Sequence, residues 1–203
     1  MKTANTLIAC DIDFCYSHDL NYLVSVEYIF GRKTIMIAFP GTKDIEDLKT
    51  IKNGTYHLDV QKMWKGIKAD ILDLVTDLEP CDYLIGGHSL GGVLAELVAT
   101  RIADIKYASV FNPSRVRVVT FGAPKHRYKQ FFSTTRFVLP GDIIPFLPFK
   151  FKQAEAPYTI LGKRHALVKP LTFLDFLVTL LKRGFIKAHS MDAYIKALGA
   201  TYE

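Results

Sequence analysis

The spacing of apolar and polar positions changes several times along the chain, and each change marks an element. Val24, Val26, Tyr28 and Phe30 alternate with Ser25, Glu27 and Ile29, the two-residue period of a strand. Gly31-Arg32-Lys33 reads as a turn and Thr34 to Phe39 as a second, more buried strand, so an antiparallel hairpin is expected. Pro40-Gly41-Thr42-Lys43-Asp44 then forms a turn directly after a core strand, and Asn53-Gly54 forms another. From His57 to Leu78 the apolar residues Val60, Met63, Trp64, Ile67, Ile71, Leu72, Val75 and Leu78 recur every three or four positions, an amphipathic helix stopped by Pro80. Tyr83, Leu84 and Ile85 make a short buried strand, after which Val93, Leu94, Leu97 and Val98 return to helical spacing.

Arg115 to Phe121 and Thr135 to Leu139 read as further strands, ending in Gly122-Ala123-Pro124 and Pro140-Gly141-Asp142. Pro157 to Leu167 reads as a short hairpin, and residues 1–20 as a helix or a helix plus loop. Strands alternating with helices predict an α/β fold: a mostly parallel central sheet with an N-terminal antiparallel hairpin and helices on both faces. At 203 residues and 49% hydrophobic, residues 1–203 are expected to form one domain. Leu171 to Leu181 is apolar on nearly every side and too short to span a bilayer, so within 171–187 the expectation is a buried helix or a cap that meets lipid. The chain closes with His189 just ahead of an amphipathic last helix.

Charge divides the chain unevenly. Lys125 to Lys187 holds 12 basic and 3 acidic residues, within a net charge of +6. Such a basic half admits an anionic membrane surface as a peripheral partner. It carries no recognisable reading motif for nucleic acid, which is not expected as a partner. Cys10, Cys15 and Cys81 lack metal-ligand spacing and fit reduced thiols; with no secretory leader pattern and no membrane span, a cytoplasmic location is expected. Ala9 to Asp13 ends in an Asp-x-Asp that resembles the nucleophile motif of haloacid-dehalogenase-type phosphatases. That motif needs Thr or Val where Cys15 stands, so Asp11 and Asp13 are read as surface residues.

The densest chemistry lies in Gly87-His88-Ser89-Leu90-Gly91, between the buried strand and its helix. A serine on a sharp strand-to-helix turn needs neighbours without bulk two residues to either side, which Gly87 and Gly91 supply. Its hydroxyl then stands at the strand's C-terminal end, near the free N–H groups of the helix start. A serine nucleophile needs a base and an acid that orients the base. Asp142, at the end of a strand after Ser89, suits the acid better than Asp104, Glu155 or Asp175. His189, in a loop between helices, is preferred as base over His165. His88 is expected to point away and pack under the turn, and His18, His57 and His126 are read as structural.

Four segments in order, Ile37 to Thr42, Gly87 to Gly92, Phe121 to Pro124 and Asp142 to Pro148, together resemble the signature segments of the class 3 lipases. The resemblance implies an α/β-hydrolase fold and a serine hydrolase of acyl esters, with a lipid or other acyl ester as substrate and no metal or organic cofactor. It implies Ser89 as nucleophile, Asp142 as acid, His189 as base, and the N–H groups of Thr42 and Leu90 as the oxyanion hole. The sequence departs from the pattern at Pro40, where the family usually has Arg, and lacks the tryptophan common shortly after that segment. The alternative is a hydrolase-fold binding or regulatory protein without turnover.

Overall fold

A computed structural model of the chain describes residues 14–17, 20–41, 51–76, 82–104, 115–126, 132–148, 158–161, 166–169, 177 and 185–199. Among these, eight strands form one sheet in chain order: β1 (Phe14–Ser17), β2 (Leu20–Ile29), β3 (Arg32–Phe39), β4 (Asp82–His88), β5 (Val116–Phe121), β6 (Ser133–Val138), β7 (Tyr158–Leu161) and β8 (Ala166–Lys169). β1 to β3 pair antiparallel, β3 to β7 run parallel, and β8 returns antiparallel to β7. The helices are α1 (Tyr56–Thr76), α2 (Leu90–Asp104), the short α3 (Phe185–Ala188) and α4 (Met191–Leu198).

The two-residue period of the strands sorts the core into two layers. Ile35, Ile37 and Phe39 of β3, Tyr83 and Ile85 of β4, and Val116 and Val118 of β5 face one way. There they meet Val60, Trp64, Ile67 and Ile71 of α1 and Val93, Leu94, Leu97 and Val98 of α2. Met36, Leu84, Val119, Phe121 and Phe137 face the other way, against Tyr194 and Leu198 of α4. The central strands are therefore covered on both faces, which is why they read as apolar runs rather than alternations. Each fully buried aliphatic side chain contributes roughly 1.5–3 kcal/mol.

Two local expectations need correction. Residues Phe14 to Ser17 form strand β1, not part of a helix. Aromatic Phe14 and Tyr16 suit a pleated edge, and the pairing of Phe14 with Leu23 and Ser17 with Leu20 sets its register. The β2–β3 turn is Phe30-Gly31, not Gly31-Arg32-Lys33, because Ile29 already pairs with Arg32. Both turn residues are left-handed, Phe30 at φ +51° and Gly31 at φ +74°, as a two-residue turn that matches strand twist requires.

Phe30 is poorly suited to that geometry, and its side chain is 81% exposed, so it has little packing to offset the strain. A left-handed conformation costs an ordinary residue roughly 1–2 kcal/mol, and Asn tolerates it best after Gly. Phe30→Asn is expected to raise the unfolding free energy by about 1 kcal/mol, read from the midpoint of a urea titration with unchanged slope. An unchanged or lower midpoint would show that the Phe30 ring contributes more than the turn strain costs.

Candidate active site

Because β3 to β6 are parallel neighbours, the loops that leave their C-terminal ends line up along one edge of the sheet: Pro40-Gly41, Ser89, Gly122 and Asp142. Ser89 occupies a left-handed turn at φ +54°, the strained conformation that a tight strand-to-helix junction imposes. Its N–H donates to the Phe121 carbonyl at 2.9 Å and its carbonyl accepts from Gly92 N–H at 3.0 Å, pinning the turn between β5 and α2. A Cβ added at Gly87 would overlap the Gly91 carbonyl, and one at Gly91 would overlap the Pro40 and Phe39 carbonyls. The two flanking glycines are thus required by backbone-to-backbone approach. Leu90 opens α2, where N–H groups lack a carbonyl one turn earlier to accept them.

Asp142 follows β6 and is fully buried. Ile144 N–H donates to its Oδ1 at 2.9 Å, while the Tyr194 hydroxyl donates to Oδ2 at 2.6 Å. The same Oδ2 lies 2.9 Å from Nδ1 of His189. Three donors converge on the carboxylate, the complement of an acceptor-only group. His189 Nε2 lies 2.9 Å from Ser89 Oγ. With Nδ1–H given to the carboxylate, Nε2 offers its lone pair to the hydroxyl. The structure brings Ser89, His189 and Asp142 into one continuous hydrogen-bonded row, which can move a proton from the serine oxygen to the imidazole.

The row crosses above the end of β5, where Gly122 sits at φ +61°. A Cβ there would stand 2.7 Å from Asp142 Oδ2 and 3.0 Å from the His189 ring. His189 itself is held at the joint between α3 and α4. Ser190 caps α4 by accepting from Ala193 N–H at 3.3 Å and donates from its own hydroxyl to the Lys187 carbonyl at 2.9 Å.

His88 does not turn away from the site. Its Nε2 stands 2.6 Å from the His189 backbone carbonyl, and the two rings lie 4.7 Å apart. A carbonyl only accepts, so Nε2 carries the proton. Burial, and then the charge His189 can carry, lower the His88 pKa from 6.5 to about 4, against the raising effect of that hydrogen bond. His126 lies apart, its Nε2 2.8 Å from Oε2 of Glu96, whose Oε1 accepts from Arg136 at 3.0 Å.

Sequence reasoning missed Tyr194. It also accepts Leu139 N–H at 3.3 Å, so its hydroxyl joins the β6 loop to the acid. It falls within the amphipathic last helix, and no local signal distinguishes it. Thr42, His165, Glu155 and Asp175 lie outside the described residues, as does 171–187 apart from Leu177, whose side chain is exposed, and α3. Among the described residues, no group of three or more His, Cys, Asp or Glu is placed to hold a metal, and no helix is long and apolar enough to cross a membrane.

Residues 33–152 match the family described as Lipase (class 3). The chain belongs to the class 3 lipase family. A curated relative, the lipase ZK262.3 of Caenorhabditis elegans, is 28% identical over 160 residues; the match covers 67% of this chain and 43% of the worm protein. The chain therefore spans less than half of that relative. Rhizomucor miehei lipase in complex with its propeptide superposes with a TM-score of 0.62 at 20% identity, covering 88% of this chain and 68% of the fungal one. The mono- and diacylglycerol lipase of Aspergillus oryzae gives 0.58 at 18% identity, with 88% and 76% covered. At such identities the fungal structures show the fold, and the α/β-hydrolase architecture is that of class 3 lipases.

Gly122→Ala is expected to force His189 and Asp142 apart while leaving Ser89 in its turn. The rate at which a fluorophosphonate labels Ser89 should fall about 100-fold, the scale of a misplacement near 1 Å; labelling at the wild-type rate would mean that the row accommodates the methyl. Acid should also weaken the fold through His88. Between pH 6.5 and about 4 the unfolded chain protonates this residue and the folded chain does not, so stability is lost as pH falls through that window. Urea midpoints near neutrality and just above pH 4 should differ more for the wild type than for His88→Gln.

Proposed function

We propose that this class 3 lipase family member is a serine hydrolase of carboxylic esters, with lipid acyl esters as its substrate class. The observation that carries this reading is the unbroken row from Ser89 Oγ through His189 to Asp142, 2.9 Å at each of its two contacts. A serine hydroxyl alone is a weak nucleophile at neutral pH, and a lone pair on an adjacent imidazole activates it.

In the proposed reaction, Ser89 Oγ attacks the ester carbonyl as His189 Nε2 takes its proton. The buried Asp142 carboxylate keeps the proton on Nδ1 and stabilises the imidazolium that forms. The negative oxygen is received by Leu90 N–H and by Thr42 N–H, the latter an expectation carried by the family resemblance. One such donor is worth roughly 3 kcal/mol to the transition state. His189 then returns its proton to the departing alcohol, leaving an acyl group on Ser89. Water, deprotonated by the same imidazole, releases the acid and restores the serine. A related solved lipase is described as having a serine protease triad as its catalytic centre, which agrees with these roles. No step calls for a metal or an organic cofactor.

Purified protein is expected to hydrolyse p-nitrophenyl esters, and Ser89→Ala to lower kcat by at least about 1,000-fold without altering the fold. The chain-length optimum across short to long acyl groups separates esterase from lipase preference. A folded wild type that turns over no ester and leaves Ser89 unlabelled by a fluorophosphonate would overturn the reading in favour of a binding protein.

A further inference from the structure

The serine, acid and base each stand on a different loop, and something must fix those loops relative to one another. His88 is immediately before Ser89, yet its ring reaches the loop of the base and the loop after β3. Its Nε2–H donates to the main-chain carbonyl of His189 at 2.6 Å, a bond between residues 101 apart in sequence. Its ring packs on that of His189 at 4.7 Å and meets the edge of Tyr194, the residue that holds Asp142, at 6.1 Å. On the other side, a Cβ at Gly41 would overlap His88 Nδ1 and stand 3.3 Å from Ser89 Cβ. The ring therefore fills the space that a side chain at position 41 would take.

We propose that His88 is a positioning residue for the base, a single imidazole that ties the His189 main chain to the nucleophile turn and is seated against Gly41. It acts through His189 and need not touch the substrate. A merely space-filling ring would need shape alone. This one also uses a donor aimed at the one backbone carbonyl that belongs to the base. The lowered basicity of His88 accords with that use, since a neutral ring can donate from Nε2 without placing a second positive charge beside the imidazolium that His189 becomes. Among the described residues, the titratable groups whose rings meet His88 are His189 and Tyr194 from the C-terminal segment.

The inference rests on the proposed hydrolase reading, and two variants separate donor from bulk. Gln carries its amide nitrogen near the position of Nε2, whereas Asn carries it near Nδ1. His88→Ala and His88→Asn are expected to lose about 10- to 100-fold in kcat with KM within about twofold, and His88→Gln to recover most of the loss. Equal loss in Gln and Asn variants, or none in either, overturns the proposal, and this pair decides alone should His88→Ala fail to fold. Gly41→Ala should lower kcat by displacing the ring, and should add nothing in the His88→Ala background, where the methyl finds room. Multiplying losses would mean that Gly41 acts independently and would overturn the seating.

If the wild type proves to have no turnover, the hydrolase reading fails by itself and the positioning role is read by NMR. The low-field proton of the His189 Nδ1–H to Asp142 bond should persist in His88→Gln and vanish or broaden in His88→Ala. A resonance that His88→Ala retains, or that the wild type lacks, overturns it.

Discussion

Ser89 follows β4 and Asp142 follows β6, so one whole strand stands between the hydroxyl and the carboxylate. Two strand spacings are about 10 Å, and a single imidazole must bridge them. Much of the sheet edge follows from that span. The ring has to lie across the end of β5, which requires a residue there with no side chain, and Gly122 is that residue. The hydroxyl has to rise to meet the ring, which the left-handed turn at Ser89 accomplishes at the expense of strain. The carboxylate has to be presented from below without water, and its burial leaves only protein donors to satisfy it.

Those demands couple the site to both core layers. The turn at Ser89 is closed by α2, whose apolar residues pack on the face shared with α1. Its N–H is held by the end of β5. Asp142 depends instead on α4, because Tyr194 reaches it from the opposite face, wedged against Phe121, which in turn stacks on Phe137 at 5.4 Å. The sheet is the rigid part common to both, and the row of hydrogen bonds is assembled across its edge. Damage to either layer is therefore transmitted to the same three side chains.

The turn was legible in the sequence because its glycine spacing is local: Gly87 is needed for the close approach of Gly91, although Gly91 is needed for the approach of Phe39 and Pro40 from the end of β3. Asp142 and His189 were legible by a weaker route, the order of residues along the chain and the ends of elements on which they fall. The strands β3 to β6 were legible as apolar runs bounded by turns, and helices α1 and α2 by the three-to-four spacing of their apolar residues. Short β1 was not, since four residues carry no period, and its register comes from β2. The two-residue turn at Phe30 was displaced by one position for a similar reason: pairing of Ile29 with Arg32 decides it, against the preference of Phe for other conformations. Tyr194 and the reach of His88 were hidden more deeply, because their partners lie 52 and 101 residues away. Only the folded chain brings them together.

The three side chains of the row differ in how they are held, and the difference matches what each would have to do in the proposed reaction. Asp142 must not move or meet water, and it is fixed by Ile144 N–H, by Tyr194 and by complete burial. Ser89 must present an oxygen at one point in space, and a strained backbone does this more rigidly than a rotamer could. His189, the base of the proposed reaction, is 15% exposed and is not held by packing alone. Its control is exerted on the main chain instead, by the Ser190 cap on one side and by the His88 hydrogen bond on the other. An imidazole that is hydrogen-bonded at both nitrogens and clamped at its backbone can change protonation state without losing its place between Ser89 and Asp142.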